Sequence, residues 1–346
     1  MTAEVIIRRT GPLGHLTLNR PKALHALITQ MCEAISIALL EWRDDPGVEA
    51  ILLDHAEGTR GFCAGGDVAM VRRSALEDGG AAGRAFFLAE YRMNHLLFTF
   101  PKPIVAVMDG VTMGGGVGLA LPCQYRIATE NTLFAMPEGA IGLFPDVGAG
   151  WYLPRLPHRI GTFLALTGAR LDGSECLWAG LATHYLPAER LAQAKQRIEA
   201  DPGAIDSLLA TLSADSPPAR LAGNAARIER LFAGDTLEGV IAALKADDST
   251  WAAKELKAVT AKCPASAKVA LRQFAHPQSD FAAEMAVEYR LAARMIMRPD
   301  FAEGVRAVLV DKDNQPRWDP AGAEGISEEM LDSIFAPLPA AEEWTP

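Results

Sequence analysis

Two different spacings of apolar residues occur along this chain. Short apolar runs, typical of β-strands, occur at Val5–Arg8, His15–Leu18 and Ala50–Asp54. The last of these runs is continuous, which indicates a strand buried on both faces. From Thr29–Asp44 the apolar residues instead recur every three or four positions, which predicts an amphipathic helix that ends before a proline. The beginning of the chain therefore combines strands with a helix.

The same rules extend the prediction to the rest of the chain. Ile104–Met108 predicts another buried strand, and Arg84–Phe100 predicts a helix. Leu119–Cys123 is predicted to begin as a helix, and the Gly- and Pro-rich stretch Pro137–Pro157 is interpreted as an ordered functional loop. Two further strands and three helices are predicted at Tyr125–Ala128, Leu133–Met136, Ala225–Phe232, Phe281–Met297 and Phe301–Val310.

The predicted strands are concentrated in the N-terminal part of the chain and the helices in the C-terminal part. This distribution predicts an α/β fold with a helical region after it, rather than a doubly wound fold that continues to the end. We place the α/β core, which would carry the active site, at residues 1–200. A helical C-terminal region that packs on this core is placed at residues 201–346. The loosest stretch, Asp201–Arg220, is the expected joint.

The composition restricts the classes of ligand. Of the 346 residues, 49% are hydrophobic and 22% are charged, which is typical of a protein with a sizeable core. The formal net charge is −10 and no basic run occurs, which argues against nucleic acid as a partner. No run of about 18 apolar residues is present, so we expect no membrane-spanning helix. A polyanionic ligand would depend on local basic positions and backbone N–H groups.

The cysteines and the first residues bear on the compartment. The five cysteines have no short spacing, so neither a zinc site nor a disulfide framework is predicted. Scattered thiols are typical of a reducing compartment. The first ten residues contain an acid and no apolar core, which predicts neither a secretory signal nor an organellar presequence. From these features we expect a cytoplasmic location and no bound metal.

Several catalytic motifs are missing from the chain. Met113–Gly118 fails as a dinucleotide fingerprint, because Leu121 stands where the last glycine of G-x-G-x-x-G would fall. No GxxxxGK[ST], HExxH or GxSxG occurs, so P-loop, zincin and serine-hydrolase functions lose their support. Two glycine-rich loops and a few acidic residues remain as candidates for chemistry.

Each of the two glycine-rich loops follows a buried strand. Glycines at Gly61–Asp67 and Gly110–Gly118 would let the backbone approach a ligand closely, and a following helix would direct free N–H groups outward. One N–H group from each loop would form an oxyanion hole for a carbonyl that gains negative charge. The alternative is that Gly114–Gly116 only relieves crowding between packed backbones.

Acidic residues provide the second candidate feature. Glu138 and Asp146 are separated by apolar residues, and burial would raise the pKa of at least one of them toward the range useful for acid–base catalysis. The alternative is that Asp146 caps a helix or turn and Glu138 is solvated. On its sequence context alone, Glu90 is a helix-surface glutamate. His25 lies in a predicted loop, where it either contacts a ligand or is solvated.

Five segments of the chain carry a family resemblance. Asn19–Ala23, Phe62–Asp67 and Met113–Gly118, in this order and spacing, resemble the enoyl-CoA hydratase/isomerase (crotonase) superfamily. Within it, Phe134–Gly148 and Asp300–Asp313 resemble the 3-hydroxyisobutyryl-CoA hydrolases. The resemblance covers nearly the whole chain, and its long central motif is the most specific part. It implies a crotonase-like spiral of ββα units with a helical C-terminal region.

The resemblance also implies roles for individual residues. The N–H groups of Gly66 and Gly115 would form the oxyanion hole for a thioester carbonyl. Glu138 matches the catalytic glutamate, while Asp146 and Glu90 match acidic positions that line the acyl pocket. Asp146 would orient the 3-hydroxyl group of the substrate or a water molecule. The coenzyme A moiety would be received by Lys22, Ala23, Ala64 and Asp67; it is part of the substrate, and no separate cofactor is expected.

One departure from the superfamily separates the candidate activities. Hydratases carry a second catalytic glutamate two residues after the glycine triplet, where this chain has Gly118. Because hydration needs two acid–base groups around one water, the resemblance favours hydrolysis of a short branched 3-hydroxyacyl-CoA, first of all 3-hydroxyisobutyryl-CoA of valine catabolism. An enoyl-CoA isomerase and a catalytically silent acyl-CoA-binding protein are the alternatives. Glu138 would act as the nucleophile or as a general base.

Other details stay open at this point. His25 stands where the superfamily commonly has asparagine. Related esters such as 3-hydroxypropionyl-CoA are further candidate substrates. The superfamily often forms trimers, so a homo-oligomer is one possibility. The other is a monomer whose C-terminal region covers the surface through which the trimers associate.

Overall fold

The computed structural model describes residues 3–346, which form a mixed α/β structure with many helices. The strands are β1 (Val5–Thr10), β2 (Leu13–Leu18), β3 (Ala50–His55), β4 (Ile104–Met108), β5 (Val111–Met113), β6 (Tyr125–Ala128), β7 (Leu133–Ala135), β8 (Leu171–Asp172) and β9 (His184–Tyr185). The helices of the first 212 residues are α1 (Thr29–Asp44), α2 (Val68–Glu77), α3 (Ala81–Phe98), α4 (Gly115–Ala120), α5 (Ala149–Tyr152), α6 (Ile160–Thr167), α7 (Gly173–Trp178), α8 (Leu191–Ala200) and α9 (Ile205–Leu212). They are followed by α10 (Ala225–Leu231), α11 (Leu237–Ala246), α12 (Thr250–Thr260), α13 (Pro264–Ala275), α14 (Phe281–Met295), α15 (Pro299–Val305) with a π-helical continuation (Arg306–Val310), and α16 (Glu328–Phe335).

The predicted helix at Leu119–Cys123 is wrong in its position. Helix α4 begins at Gly115 and ends at Ala120, so it lies largely within the glycine-rich loop. Gly114, with φ 48° and ψ −120°, turns the chain from β5 directly into this helix in a conformation that suits glycine. Helix propensity is low at glycine, but close packing decides this segment, in which every residue is buried.

The chain divides into two compact units that alternate along the sequence. The first consists of the residues up to Gly66, Arg92–Ala135 and Arg170–Gly223, and the second of Asp67–Tyr91, Met136–Ala169 and Asn224–Pro346. Helix α3 therefore contributes residues to both. The predicted division at residue 200, between a catalytic core and a C-terminal region, stays a prediction.

The first unit contains both sheets. The larger sheet has the order β1-β2-β3-β4-β6-β9, in which β1 pairs with β2 antiparallel and the other pairs are parallel. The smaller sheet has the order β5-β7-β8. β3 and β4 are buried at every residue, as their continuous apolar runs predicted. Two short strands, β8 and β9, lie beyond the region in which strands were predicted.

Helices α8 and α9 help to form the core of the first unit. Ala194, Ile198, Leu208 and Leu209 join one buried cluster with residues of β2, β3, β4 and β6. Burial of a leucine side chain stabilises the folded state by roughly 2 kcal/mol. The expectation of a loose joint at Asp201–Arg220 is therefore wrong for its central part, because α9 is anchored in this core.

The second unit is built from helices and turns, and its described residues contain no strand. Phe163 packs edge-on against Phe232 and is stacked with Trp251. The predicted helices near residues 225, 281 and 301 are present within a few residues. Nowhere in residues 3–346 is a helix both long and apolar enough to cross a membrane.

Candidate active site

Glu138 lies in a stretch that the sequence pattern presents as a loop. In the structure Glu138–Ala140 forms a turn of 3₁₀-helix, and the Cys263 N–H group donates to the Gly139 carbonyl at 2.9 Å. A Cβ atom on Gly142 would lie 2.5 Å from the Asp300 backbone, so the chain after the turn packs closely on the start of α15. Contacts with α13 and α15 therefore fix the position of Glu138.

The side chain of Glu138 is buried, and the alternative that it is solvated is wrong. The residue is 4% exposed. Its Oε2 atom has no hydrogen-bond partner among the described residues. A buried carboxyl oxygen without a partner costs free energy, so it needs a functional or structural explanation.

Asp146 is also buried, and its side chain does not cap the following helix. The Tyr91 hydroxyl donates to Asp146 Oδ2 at 2.7 Å. Helix α5 begins after Gly148, a residue with φ 91° that provides no side-chain cap. Asp146 is 4% exposed, so the capping alternative is wrong and the carboxyl group points into the protein interior.

Glu90 is buried as well, on helix α3. It is 2% exposed, and its Oε1 atom has no hydrogen-bond partner among the described residues. The assignment to a helix surface is therefore wrong. Phe86 lies one turn earlier and Tyr91 lies next to Glu90, and both are buried. The position of Glu90 four residues after a buried aromatic residue is the sequence signal that would have revealed this.

These three residues, Glu90, Glu138 and Asp146, are called the acid cluster below. Burial raises the pKa of Glu90 and of Glu138 well above the ordinary value, and the charge of Asp146 raises both further. Burial also raises the pKa of Asp146, to about 6, although the hydrogen bond from Tyr91 lowers it in part. No positively charged group of the described residues contributes to any of these shifts. Burial without a neighbouring cation therefore shifts the pKa of all three carboxyl groups upward.

A second group of polar side chains holds the backbone that follows Asp146. Glu288 accepts from the N–H groups of Gly148, at 2.7 Å, and Gly150, at 3.1 Å. The Gln273 side-chain amide donates to Glu284 at 2.8 Å and to Glu288 at 3.1 Å. A Cβ atom on Gly150 would lie 2.0 Å from Glu284 Oε1, so a larger residue there would displace the Glu284 side chain. We call Gln273, Glu284 and Glu288 the Glu288 network.

The Glu288 network was not predicted from the sequence, although a signal for it was present. Phe281, Glu284, Met285, Glu288 and Ala292 follow the spacing of the apolar face of α14, and all five are buried. Two acids at apolar positions of an amphipathic helix indicate buried carboxyl groups. Burial raises the pKa of both, and that of Glu288 is raised further by the charge of Glu284.

In the first unit the two glycine-rich loops lie side by side. Cys63 pairs with Thr112, and a Cβ atom on Gly65 would lie 3.6 Å from the Gly115 nitrogen. Gly115 is the first residue of α4, where an N–H group has no acceptor within the helix. A Cβ atom on Gly116 would lie 2.4 Å from the Cys63 carbonyl, so relief of crowding does explain this glycine.

The residues expected to receive coenzyme A fall into both units. Lys22 and Ala23 form a 3₁₀ turn, and the Ala64 N–H group donates to the Leu24 carbonyl at 3.0 Å, which joins these segments within the first unit. Asp67 belongs to the second unit, where its side chain accepts from the Met70 N–H group and caps α2.

His25 fixes the loop that carries Lys22 and Ala23. It is fully buried, so the alternative that it is solvated is wrong. Its Nδ1 atom accepts from the Arg20 N–H group at 2.9 Å, and its Nε2 atom lies 2.9 Å from Thr59 Oγ1. Burial and then the neighbouring His55 lower the pKa of His25 to about 4, so its imidazole is neutral at pH 7.

With this geometry established, comparison with known proteins identifies the family. The family model described as enoyl-CoA hydratase/isomerase matches residues 13–335. The chain belongs to this family. Two solved structures of the family cover 99% of the chain: a carnitinyl-CoA dehydratase from Mycobacterium thermoresistibile, with TM-score 0.93, 36% identity and 99% of its own chain covered, and an enoyl-CoA hydratase from Rhodobacter sphaeroides, with TM-score 0.91, 39% identity and 100% covered. The predicted crotonase-like fold is confirmed.

Curated relatives are similar to this family member over nearly their whole length. The 3-hydroxyisobutyryl-CoA hydrolase of Xenopus laevis is 42% identical over 96% of this chain and 89% of its own. The human enzyme of the same name is 41% identical over 98% of this chain and 90% of its own.

Both relatives are named mitochondrial, which contradicts the predicted cytoplasmic location. That prediction was wrong, because free thiols are compatible with a reducing environment in general and do not identify one compartment.

Proposed function

We propose that this chain hydrolyses 3-hydroxyisobutyryl-CoA to 3-hydroxyisobutyrate and coenzyme A. The observation that carries the proposal is the buried Glu138, whose free Oε2 atom has no partner in the second unit and whose pKa is raised by burial. The curated relatives bear the name of this activity over nearly full length. Asp146 would bind the 3-hydroxyl group of the substrate, and Glu90 would support it.

Glu138 would carry out the chemical step. The thioester carbonyl would accept from the N–H groups of Gly66 and Gly115, which stabilise the negative charge that develops on oxygen. Glu138 then either attacks the carbonyl carbon, which gives a mixed anhydride, or removes a proton from the attacking water. A carboxylate with a raised pKa is more basic than one in water, which favours either route. Trapping with hydroxylamine would give a glutamyl hydroxamate by the first route alone.

Replacement of Glu138 by glutamine tests the proposal directly. We expect a loss of turnover of at least about 10³-fold, measured as thiol release with a thiol-reactive dye. The Kd for the CoA ester should change by no more than a few-fold. Glu77→Gln is the matched control, because Glu77 lies in the same unit and is exposed. Unchanged turnover in Glu138→Gln would remove Glu138 from the mechanism.

The two similar solved structures are a dehydratase and a hydratase, which makes hydration the activity to exclude by experiment. Hydration needs a second acid–base group near the glycine triplet, and Gly118 provides none. An unsaturated acyl-CoA should therefore be neither hydrated nor isomerised, while 3-hydroxyisobutyryl-CoA releases thiol. A shifted double bond would support an isomerase. The absence of any reaction with either ester would support an acyl-CoA-binding protein.

The contacts with coenzyme A and the assembly are further parts of the proposal. Lys22, Ala23, Ala64 and Asp67 would receive the coenzyme A moiety, partly through backbone groups. A homo-oligomer is proposed from the resemblance to the superfamily, and a mass measurement in solution tests it.

A further inference from the structure

The acid cluster differs from ordinary buried carboxyl groups because it has no counter-charge. None of its three residues forms an ion pair with a lysine, arginine or histidine of residues 3–346. The Tyr91 hydroxyl is a neutral donor, and it serves only Asp146. Two oxygens, Glu90 Oε1 and Glu138 Oε2, are buried and have no partner among the described residues. A ligand that enters this group of side chains therefore meets acceptors and negative charge.

The charge of an incoming acyl chain should consequently decide whether it binds. A hydroxyl group can donate to one unpartnered carboxyl oxygen and accept from a protonated one. An ammonium group donates three hydrogen bonds and neutralises negative charge. A carboxylate would be placed beside like charges without a cation, which is the costliest arrangement of a buried ion.

We propose that the acid cluster selects acyl-CoA esters by charge, so that acyl chains with an ammonium group at C3 are a further class of substrate and chains with a carboxylate there are excluded. This inference rests on the proposed function, because it assumes that the acyl chain enters the acid cluster. The reaction is the same hydrolysis: water adds to the acyl carbon, the C–S bond breaks, and the thiolate takes up a proton.

Three nearly isosteric esters isolate the effect of charge. The 3-hydroxyisobutyryl, 3-aminoisobutyryl and methylmalonyl esters of coenzyme A share a branched three-carbon backbone and carry a neutral, a positive and a negative group, respectively. Inhibition constants of the second and third esters are measured against thiol release from the first by the unmodified enzyme. Thiol release from the amino ester itself is measured in parallel.

The amino ester should bind at least about 30-fold more tightly than methylmalonyl-CoA, and the enzyme should release thiol from it. Affinities of the two charged esters within about 3-fold of each other, or their reversal, would overturn the inference, as would the absence of thiol release from the amino ester. If the ratio of the two affinities lies between about 3-fold and 30-fold, the variant Glu90→Gln decides. This variant removes one carboxyl group and must reduce the ratio. An unchanged ratio counts against the inference. Glu77→Gln should leave the ratio as it is.

The result can be separated from that of the proposed function. If 3-hydroxyisobutyryl-CoA is hydrolysed but the charged esters do not differ, the charge selection fails and the hydrolase activity stands. If that ester is not hydrolysed, direct calorimetric binding of the three esters still measures the charge selection. In that case the hydrolase proposal fails on its own.

Discussion

Each compact unit contains buried carboxyl groups, and Asp54 of the first unit differs sharply from the acid cluster of the second. In the first unit Asp54 is buried and has two basic partners: Lys195 Nζ lies 2.7 Å from Oδ2, and His15 Nε2 lies 3.0 Å from Oδ1. Burial alone would raise the pKa of Asp54, but the hydrogen bond from His15 and the charge of Lys195 lower it to about 2. In the second unit the acid cluster has no cation, and its pKa values are raised.

The contrast shows how a stabilising buried acid differs from a reactive one. Burial is nearly the same in the two cases, since all four carboxylic residues are at most 4% exposed. The counter-charge makes the difference, because it lowers the pKa of the buried acid in the folded state. Ionisation of that acid then stabilises the fold. A buried acid without a counter-charge lowers the free energy of unfolding of the protein. Such a loss of stability is typical of functional sites.

The largest effect on stability is expected where a paired acid is removed. Asp54→Ala leaves Lys195 and His15 without their partner, and the free energy of unfolding at pH 7 should fall by roughly 3–5 kcal/mol. Urea denaturation measures this loss. Asp78→Ala, at an exposed residue that bonds only to its own local segment, is the comparison variant and should cost clearly less. Equal losses would contradict a special role for the Asp54 pairs.

Removal of the acceptor from the Glu288 network should have the next largest effect. Glu288→Ala leaves the N–H groups of Gly148 and Gly150 without their acceptor, which should destabilise the fold by about 2 kcal/mol and lower kcat through the displaced Asp146. Denaturation and steady-state kinetics measure the two effects. Glu284→Gln is the control, because Glu284 accepts from Gln273 and not from this backbone. A larger loss in Glu284→Gln would reverse this assignment.

The smallest effect has the opposite sign. Glu138→Gln removes an unpaired buried acid and should raise the free energy of unfolding by about 1 kcal/mol at pH 8, although activity is lost. The pKa of Glu138 is raised on folding, so its ionisation destabilises the folded state once the pH exceeds the unfolded value. The gain should therefore shrink as the pH falls toward 4. Thermal unfolding from about pH 4 to pH 8 tests this prediction. If Glu138→Gln were less stable than the parent at pH 8, an unpaired buried acid would not explain the contrast with Asp54.

Thermal unfolding across the same pH range should show the opposite trend for a variant at Asp54. Its pKa is lowered on folding to about 2, so its stabilising contribution is present above about pH 4 and is lost as the pH falls toward 2. Asp54→Asn should thus differ most from the parent near neutral pH and least in acid. If both variants followed the same trend with pH, counter-charge would not explain the contrast.

Elements with a strong periodic pattern could be predicted from the sequence. Helix α1 has its predicted bounds, and β4 does too, because apolar spacing and a proline or glycine at the ends determine them. Helix α4 could not be placed, since close backbone packing holds its glycines against their low helix propensity. The candidate site residues come from the resemblance, and the pattern alone left Glu138 and Asp146 with an alternative.

The contacts around the site could not be read from local sequence. Glu288 lies 138 residues beyond the glycine whose N–H group it accepts at 3.1 Å, and no spacing rule connects positions so far apart. Burial of Glu90 was within reach of the helical period, as were the two acids of α14. What no period shows is whether a cation lies beside a buried acid, and this property separates Asp54 from the acid cluster.

The Glu288 network has a consequence for how this protein can be shortened or recombined. Glu138 and Asp146 lie before residue 200, but the acceptor for the backbone after Asp146 is supplied from α14, near the other end of the chain. A truncated version that stops near residue 200 would keep the candidate catalytic acids and lose the helix that holds their segment. The C-terminal helices therefore cannot be exchanged as a module without a matching Gly148–Gly150 segment. Fusions and domain swaps within this family should keep the two segments from the same parent.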